Sequence, residues 1–260
     1  MGESGERVMK PTTLQQAEAY LQRGRLKQAA RVLRRAVQAG DAPLECYLRL
    51  AEVCRLQENW RGAIDAIRAA LQRQPDSIPA RERLIELLIE SGRLAEAVAE
   101  CERWLSEAPE HPTPLEHLLD AHWHAMDYLR ALQAANQLVQ LQPRNAHYRM
   151  RRARLLDNLG RRAEAISDYE QLALEAGAPL EIMVWATLEL ERLDRVQMRQ
   201  LMRLLMEDAL FWVKFIRDPK GAARERGFTF SRVGEEALET MPDALLREMP
   251  RPPRRYAGYS

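Results

Sequence analysis

The sequence predicts an all-α fold, an α-solenoid built from stacked pairs of antiparallel helices. Three observations support this fold class. Alanine recurs five times at intervals of 34 residues, apolar residues before and after it recur with the same period, and a residue that ends helices closes each period. A repeat of this length fits two helices of about 13 residues and a short turn, and one such unit cannot bury its apolar faces without a neighbour.

The recurring alanine fixes the register of the repeat. It stands at Ala29, Ala63, Ala97, Ala131 and Ala165. Small or apolar residues stand twelve positions earlier, at Ala17, Ala51, Ile85, Leu119 and Ala153. Apolar residues stand seven positions later, at Ala36, Ala70, Trp104, Leu138 and Leu172, and the closing residues are Asp41, Pro75, Pro109, Pro143 and Gly177. We expect the small residues where helices cross closely and the larger apolar residues in the core between them.

This pattern resembles the tetratricopeptide repeat. The motif of that family has a small residue at position 8, glycine at 15, a large apolar residue at 17, alanine at 20, an apolar residue at 27 and proline at 32. The resemblance covers residues 10–179, in units 10–43, 44–77, 78–111, 112–145 and 146–179. It implies a right-handed superhelix with a concave and a convex side. Departures from the motif are local, such as bulky Ile85 and Leu119 at position 8 and polar Arg162 at position 17.

The regions outside the repeats are assigned by composition. Residues 1–9 are expected to form an N-terminal extension and residues 180–217 a pair of capping helices, because the open end of a solenoid needs a cover. We expect the first capping helix over 180–193, with Asp194 as the N-cap of a second helix that ends at Arg217.

The C-terminal part of the sequence has two segments after the capping helices. Residues 218–248 are expected to form a small appendix, with a short extended piece and then a helix interrupted at Met241–Pro242. Residues 249–260 form a basic, proline-rich tail that we expect to be flexible. The tail either remains solvated or serves as a docking peptide.

The second capping helix is apolar on more than one face, most strongly over 204–216. Its side chains either cover the last repeat or form a secondary interface, since methionine- and aromatic-rich helices suit adaptable interfaces. The candidates for this interface are Leu210, Phe211, Trp212, Phe215 and Ile216.

Composition and motifs argue against several classes of function. The chain has 39 basic and 38 acidic residues, so no global charge attracts nucleic acid. The phosphate-binding, dinucleotide-binding and hydrolase motifs are absent, so we predict neither an enzyme nor a cofactor. Cys46 and Cys54 lie about 12 Å apart along one predicted helix, too far for a disulfide, which favours a reducing, cytoplasmic location. No apolar run is long enough for a transmembrane span.

One helix carries a cluster of potential metal ligands. His117, Asp120 and His124 share a helix face at spacings i, i+3 and i+7, and an imidazole with a carboxylate can bind a divalent metal. Two or three ligands on a single helix make a weak site, and no cysteine or further histidine completes it. We therefore expect no metal.

The candidate binding residues follow from the resemblance, which places first-helix positions 2, 5, 9, 12 and 13 in the concave groove. The main candidates are Glu18, Glu45, Leu48, Glu52, Arg55, Glu82, Glu86, Ile89, Glu90, Glu116, Asp120, Trp123 and His124. On this count, eight acids face one base. The preference of acids for helix N-termini explains Glu45 and Glu82, but not the acids at positions 9 and 13.

The sequence thus predicts a non-enzymatic scaffold or adaptor whose acidic groove binds a basic or amphipathic segment of a partner protein. The alternative is a structural subunit of a larger or self-assembled complex, held through the apolar 204–216 helix and the C-terminal tail. Self-association through the basic tail in an acidic groove is a further expectation of this kind.

Overall fold

The computed structural model describes residues 12–40, 42–175 and 177–248, so the N-terminal extension, Asp41 and the C-terminal tail lie outside the described residues. Within these ranges the chain forms fourteen α-helices and no strand. Contacts divide the chain into an N-terminal module, up to Asp127, and a C-terminal module, from Tyr128. Among the described helices, none offers the run of apolar residues that a bilayer crossing would need.

The first ten helices fall two by two into the five repeats. They are α1 (Thr13–Gln22), α2 (Leu26–Ala39), α3 (Leu44–Leu56), α4 (Trp60–Arg73), α5 (Ile78–Glu90), α6 (Leu94–Glu107), α7 (Pro112–His124), α8 (Tyr128–Leu141), α9 (Ala146–Asn158) and α10 (Arg162–Leu174). Within each module, consecutive helices pack against one another. The all-α solenoid expected from the period is therefore confirmed.

The turn inside each repeat requires a left-handed backbone conformation. Motif position 15 has a positive φ in all five repeats, with values of 68° at Gly24, 56° at Glu58, 75° at Gly92, 58° at Met126 and 73° at Gly160. Glycine adopts this conformation without steric cost, whereas other residues cost about 1 kcal/mol or more. The turn is therefore a property of the stacked helix pair and forms even where glycine is missing.

The recurring alanines form the centre of the repeat core. Ala29, Ala63, Ala97, Ala131 and Ala165 all have 0% exposed surface. The position-8 residues are equally buried, with exposures of 2% or less at Ala17, Ala51, Ile85, Leu119 and Ala153. Small side chains here let helix backbones approach, and the larger side chains of Ile85 and Leu119 are accommodated in the same layer. The predicted core positions 8 and 20 of the repeat are thus confirmed.

The segment after the repeats differs from the sequence prediction. A single helix, α11 (Leu180–Glu207), runs for 28 residues through Asp194, which is therefore not an N-cap. Nothing near Asp194 interrupts the helix, because its neighbours are leucine and arginine, which favour helices. The break comes at Asp208, whose carboxylate accepts a 2.9 Å hydrogen bond from the Phe211 backbone and caps α12 (Ala209–Arg217).

Asp194 instead anchors the C-terminal helices. Its carboxylate accepts hydrogen bonds from the backbone N–H of Ser231, at 2.8 Å, and from the Ser231 hydroxyl. The last helices are α13 (Pro219–Glu225) and α14 (Arg232–Glu248), and α14 continues without interruption through Met241–Pro242. The segment between them has no strand, but Thr229 donates a 2.8 Å backbone hydrogen bond to the side chain of Gln197 on α11.

The predicted secondary interface lies mostly inside the chain's own C-terminal core. Phe211, Trp212 and Phe215 have exposures of 1%, 4% and 0%, and pack in one cluster whose other buried residues are Leu201, Leu205, Ala222, Ala223, Phe230 and Leu238. Ile216 is partly buried against the same cluster, and only Leu210 remains exposed, at 75%. The prediction that these aromatic side chains serve a partner is therefore corrected, because α13 and α14 cover them.

All three cysteines are free and buried, as expected for thiols with no disulfide. Burial, reinforced by Glu100, Glu102 and Asp120, raises the pKa of the Cys101 thiol to about 12. Because only the thiolate is reactive, we expect a thiol-specific reagent at pH 8 to modify Cys101 about 100-fold more slowly in the folded chain than in urea. Peptide mass mapping over time measures the rate. Equal rates in the two states would contradict the burial of this thiol.

Candidate protein-binding face

The first helices of successive repeats form one surface of the N-terminal module. Helix α1 contacts α3, α3 contacts α5, and α5 contacts α7, in addition to the contacts with second helices. Helices α1, α3, α5 and α7 therefore lie side by side, and we call their joint surface the first-helix face. Every candidate groove residue belongs to these four helices, so the candidate site lies within a single module.

All thirteen candidate side chains are accessible to some degree. Exposed residues are Glu18, Glu45, Glu90 and His124, and half-buried residues are Leu48, Glu52, Arg55, Glu82, Glu86, Ile89, Glu116, Asp120 and Trp123. By contrast, the position-8 residues of the same helices are buried. The structure thus separates the groove candidates from the core positions of the same helices.

Ion pairs connect the central carboxylates of the first-helix face. Glu52 accepts hydrogen bonds from Arg55 at 3.0 and 2.7 Å, and a further one from Arg83 of the next repeat. Arg83 also donates to Glu86 at 2.9 Å, and Arg55 lies 3.6 Å from Glu90. The result is a continuous chain of alternating charges from Glu86 to Glu90, with Glu52 at its centre.

This network corrects the expected count of eight acids against one base. Arg83 and Arg49, which pairs with Glu18 at 3.4 Å, also serve this face, so at least three arginines pair with its carboxylates. The sequence carries a signal for them, since both pairs join an acid to a base 31 residues later. That spacing connects position 9 of one repeat to position 6 of the next.

The network fixes the protonation of Glu52 at neutral pH. Hydrogen bonding from Arg55, followed by the charges of Arg83, Arg55 and Arg49, holds the pKa of Glu52 below its ordinary value despite partial burial. The same hydrogen bond raises the pKa of Arg55. Because the pKa of Glu52 is lower in the folded chain, its pairing stabilises the fold above the ordinary carboxyl range. This stability is lost as the pH falls through the folded-state pKa.

Two carboxylates of the face differ from the others. Within the described part of the chain, Glu45 and Glu82 make no hydrogen bond or ion pair with a basic side chain. The same helices carry accessible apolar side chains: half-buried Leu48 lies one turn after Glu45 on α3, half-buried Ile89 lies two turns after Glu82 on α5, and Leu56 at the end of α3 is 49% exposed. The face therefore combines carboxylates without a basic partner and apolar side chains.

The potential metal ligands on α7 do not form a metal site in the structure. Across the described residues, no group of three or more histidine, cysteine, aspartate and glutamate side chains is arranged to hold a metal ion. His117, Asp120 and His124 share α7 but do not converge on one position.

Family comparison identifies the fold of the repeats. Two family models described as tetratricopeptide repeat match the chain, one over residues 55–119 and the other over residues 14–78 and 118–181. Together they span residues 14–181, more than half of the chain. The chain belongs to the tetratricopeptide repeat family, whose members bind protein partners, and its fold is that of a protein-interaction scaffold.

Several solved structures are similar to the chain at low identity. MamA from Desulfovibrio magneticus RS-1 is 16% identical over 60% of this chain and 88% of that chain, with a TM-score of 0.48. PilF from Pseudomonas aeruginosa is 20% identical over 70% and 90% of the two chains, also with a TM-score of 0.48. A thermophilic repeat protein from Thermus thermophilus is 17% identical over 67% and 95%, with a TM-score of 0.46. No curated protein matches the chain.

Proposed function

We propose that this protein is a non-enzymatic adaptor whose first-helix face binds a basic or amphipathic segment of a partner protein. The observation that carries the proposal is the excess of carboxylates over guanidinium groups on this face. Two of these carboxylates, Glu45 and Glu82, have no basic partner among the described residues.

The ion pairs support this role by ordering the face. Arg83 joins α3 to α5, and Arg49 joins α3 to α1, so side chains of successive repeats hold each other in place. A face that is ordered before binding loses less conformational entropy when the partner docks. The network therefore favours recognition of an extended segment across three repeats over binding within one repeat.

The accessible groups suggest how such a segment would bind. A basic partner side chain would meet Glu45 or Glu82 directly, and would share Glu86 and Glu90, which are 44% and 40% exposed, with their arginines. Apolar partner side chains would contact Leu48, Leu56 and Ile89. In this arrangement the apolar contacts supply most of the affinity, while the carboxylates set the orientation and the association rate.

Selection of ligands from a random peptide display library tests the proposal. We expect the selected peptides to be rich in arginine or lysine with interspersed apolar residues, and their binding to weaken as salt rises. The Glu82→Lys variant should bind the selected peptides about tenfold more weakly. The side chain of Glu82 makes no hydrogen bond or ion pair with a described residue, so this substitution leaves the ion-pair network intact.

Glu102→Lys is the matched control. Glu102 is an exposed glutamate on α6, a second helix, and makes no ion pair with a described residue, so the change in net charge is identical. The control should bind the peptides like the unmodified chain. Selection of acidic peptides, or equal losses in the two variants, would contradict binding at the first-helix face.

A further inference from the structure

The N-terminal half of α11 occupies the place of a sixth first helix. It packs against α9 and α10 of the last repeat, and its Ile182, Ala186 and Leu193 are buried. In the earlier repeats the chain turns back after about 13 residues to form a second helix. In α11 it continues straight on, so in the described part of the chain the residues that follow do not form a second helix that turns back as in the earlier repeats.

The N-terminal half of α11 carries an accessible apolar row, of which Val184 and Leu188 stand at motif positions 5 and 9. The residue at motif position 8 is buried in all five repeats, but its equivalent in α11, Thr187, is exposed. Around it, Leu180, Val184 and Leu188 are exposed by 74%, 49% and 51%. Their spacing of four residues places them on one side of the helix. We call this row of side chains the α11 stripe.

The charged residues that flank the stripe are arranged symmetrically about Leu188. Glu181 lies seven residues before Leu188 and Arg195 seven residues after it, so both share its side of the helix, two turns away in each direction. Both are exposed, and within the described chain neither one makes an ion pair or a side-chain hydrogen bond. Such an arrangement is complementary to its own copy in an antiparallel orientation.

We propose that two copies of this chain associate through the α11 stripe, with the helices antiparallel and the two-fold axis near Leu188. Each Leu188 then meets its equivalent, and Glu181 of each copy lies opposite Arg195 of the other. The contact is isologous, so it closes at a dimer.

Leu180 of each copy lies opposite Val196 of the other, and Val184 lies opposite the aliphatic stem of Arg192. These contacts and the Leu188 pair supply the buried surface, while the two symmetric ion pairs fix the orientation. This surface belongs to the C-terminal module and does not depend on the proposed partner site.

The size of the stripe sets the expected affinity. The face has four exposed large apolar side chains, including Trp185 at its edge, which is 61% exposed. A standard interface buries about 800 Å² on each partner, and the α11 stripe offers less area than that. We therefore expect a reversible dimer with a Kd on the order of 10 μM. Sedimentation equilibrium of the full chain over a range from about 1 to 200 μM measures it.

Leu188→Glu is the decisive variant, because it places two carboxylates face to face at the axis. We expect it to weaken dimerisation at least about 20-fold without lowering thermal stability, since Leu188 is exposed. Leu129→Glu is the matched control, as Leu129 is a 64% exposed leucine on α8 of the same module. This control should dimerise like the unmodified chain.

Charge reversal tests the orientation. Glu181→Arg and Arg195→Glu should each weaken the dimer about fivefold, and the double variant should restore it. A chain that remains monomeric at the highest concentration would overturn the proposal, as would a dimer that tolerates Leu188→Glu. Failure of the double variant to recover would overturn the antiparallel arrangement.

Discussion

Phe215→Ala is expected to lower the free energy of unfolding of the C-terminal module by about 3–5 kcal/mol. Phe215 is fully buried, and its ring centroid lies 6.0 Å from that of Phe211 in the C-terminal cluster. Removing the ring loses its burial and leaves a cavity that the surrounding helices cannot fill completely. Urea denaturation followed by tryptophan fluorescence measures the change, because Trp212 lies in the same cluster.

Leu210→Ala is the control for this prediction. Leu210 lies on the same helix but is 75% exposed, so its truncation should change the free energy by no more than about 0.5 kcal/mol. A large loss of stability for Phe215→Ala with a small loss for Leu210→Ala indicates that the aromatic side of α12 is part of the core and not a free interface. Similar small effects of both substitutions would mean that α12 does not pack as described.

Removal of the Asp168 carboxylate is the second large perturbation. Asp168 is 3% exposed and accepts a bidentate hydrogen bond from Arg152. The pairing also raises the pKa of Arg152. In Asp168→Leu the guanidinium of Arg152, only 24% exposed, keeps its charge and loses its partner. We expect a loss of about 3 kcal/mol in the free energy of unfolding.

A double-mutant cycle identifies the origin of this loss. Replacing both residues, in Arg152→Met/Asp168→Leu, removes the unpaired charge and should recover about 2 kcal/mol relative to Asp168→Leu alone. Glu225→Ala is a control in the same module, since its ion pair with Lys214 is 62% exposed on both sides and contributes at most about 1 kcal/mol. If the effects of Arg152→Met and Asp168→Leu, each measured alone, add up to that of the double variant, the two residues are not coupled.

The repeat region could be predicted from the sequence because its constraints are periodic. A close helix crossing permits only a small residue, so the alanine recurs every 34 residues and marks the core directly. Even Glu58 and Met126, which depart from the glycine preference, adopt the expected turn. Here the packing of neighbouring repeats imposes the backbone conformation on a residue that disfavours it.

The region after the repeats could not be predicted in the same way. Asp194 is a good N-cap residue, but the helix runs through it, and its carboxylate instead accepts hydrogen bonds from Ser231, 37 residues later. The apolar side chains of α12 likewise show only that something covers them. The sequence does not indicate whether these side chains are buried by a partner or, as the structure shows, by the chain's own α13 and α14.

The charge of the candidate face was only partly predictable. Motif positions identified its carboxylates, but Arg49 and Arg83 stand at a position that the family resemblance did not assign to the groove. Their role depends on contacts between repeats, which a list of positions within one repeat does not contain. A base that follows a position-9 acid by 31 residues would have identified both arginines.

The uninterrupted course of α11 has a mechanical consequence. One end of this helix is embedded in the last repeat and the other in the C-terminal cluster, and no joint separates them. At 1.5 Å per residue it is a rod of about 42 Å, so a tilt of about 5° at one end displaces the other by about 4 Å. Helix α11 is thus a stiff strut that connects the last repeat to the C-terminal helices, which are fastened to its middle as well, at Asp194 and Gln197.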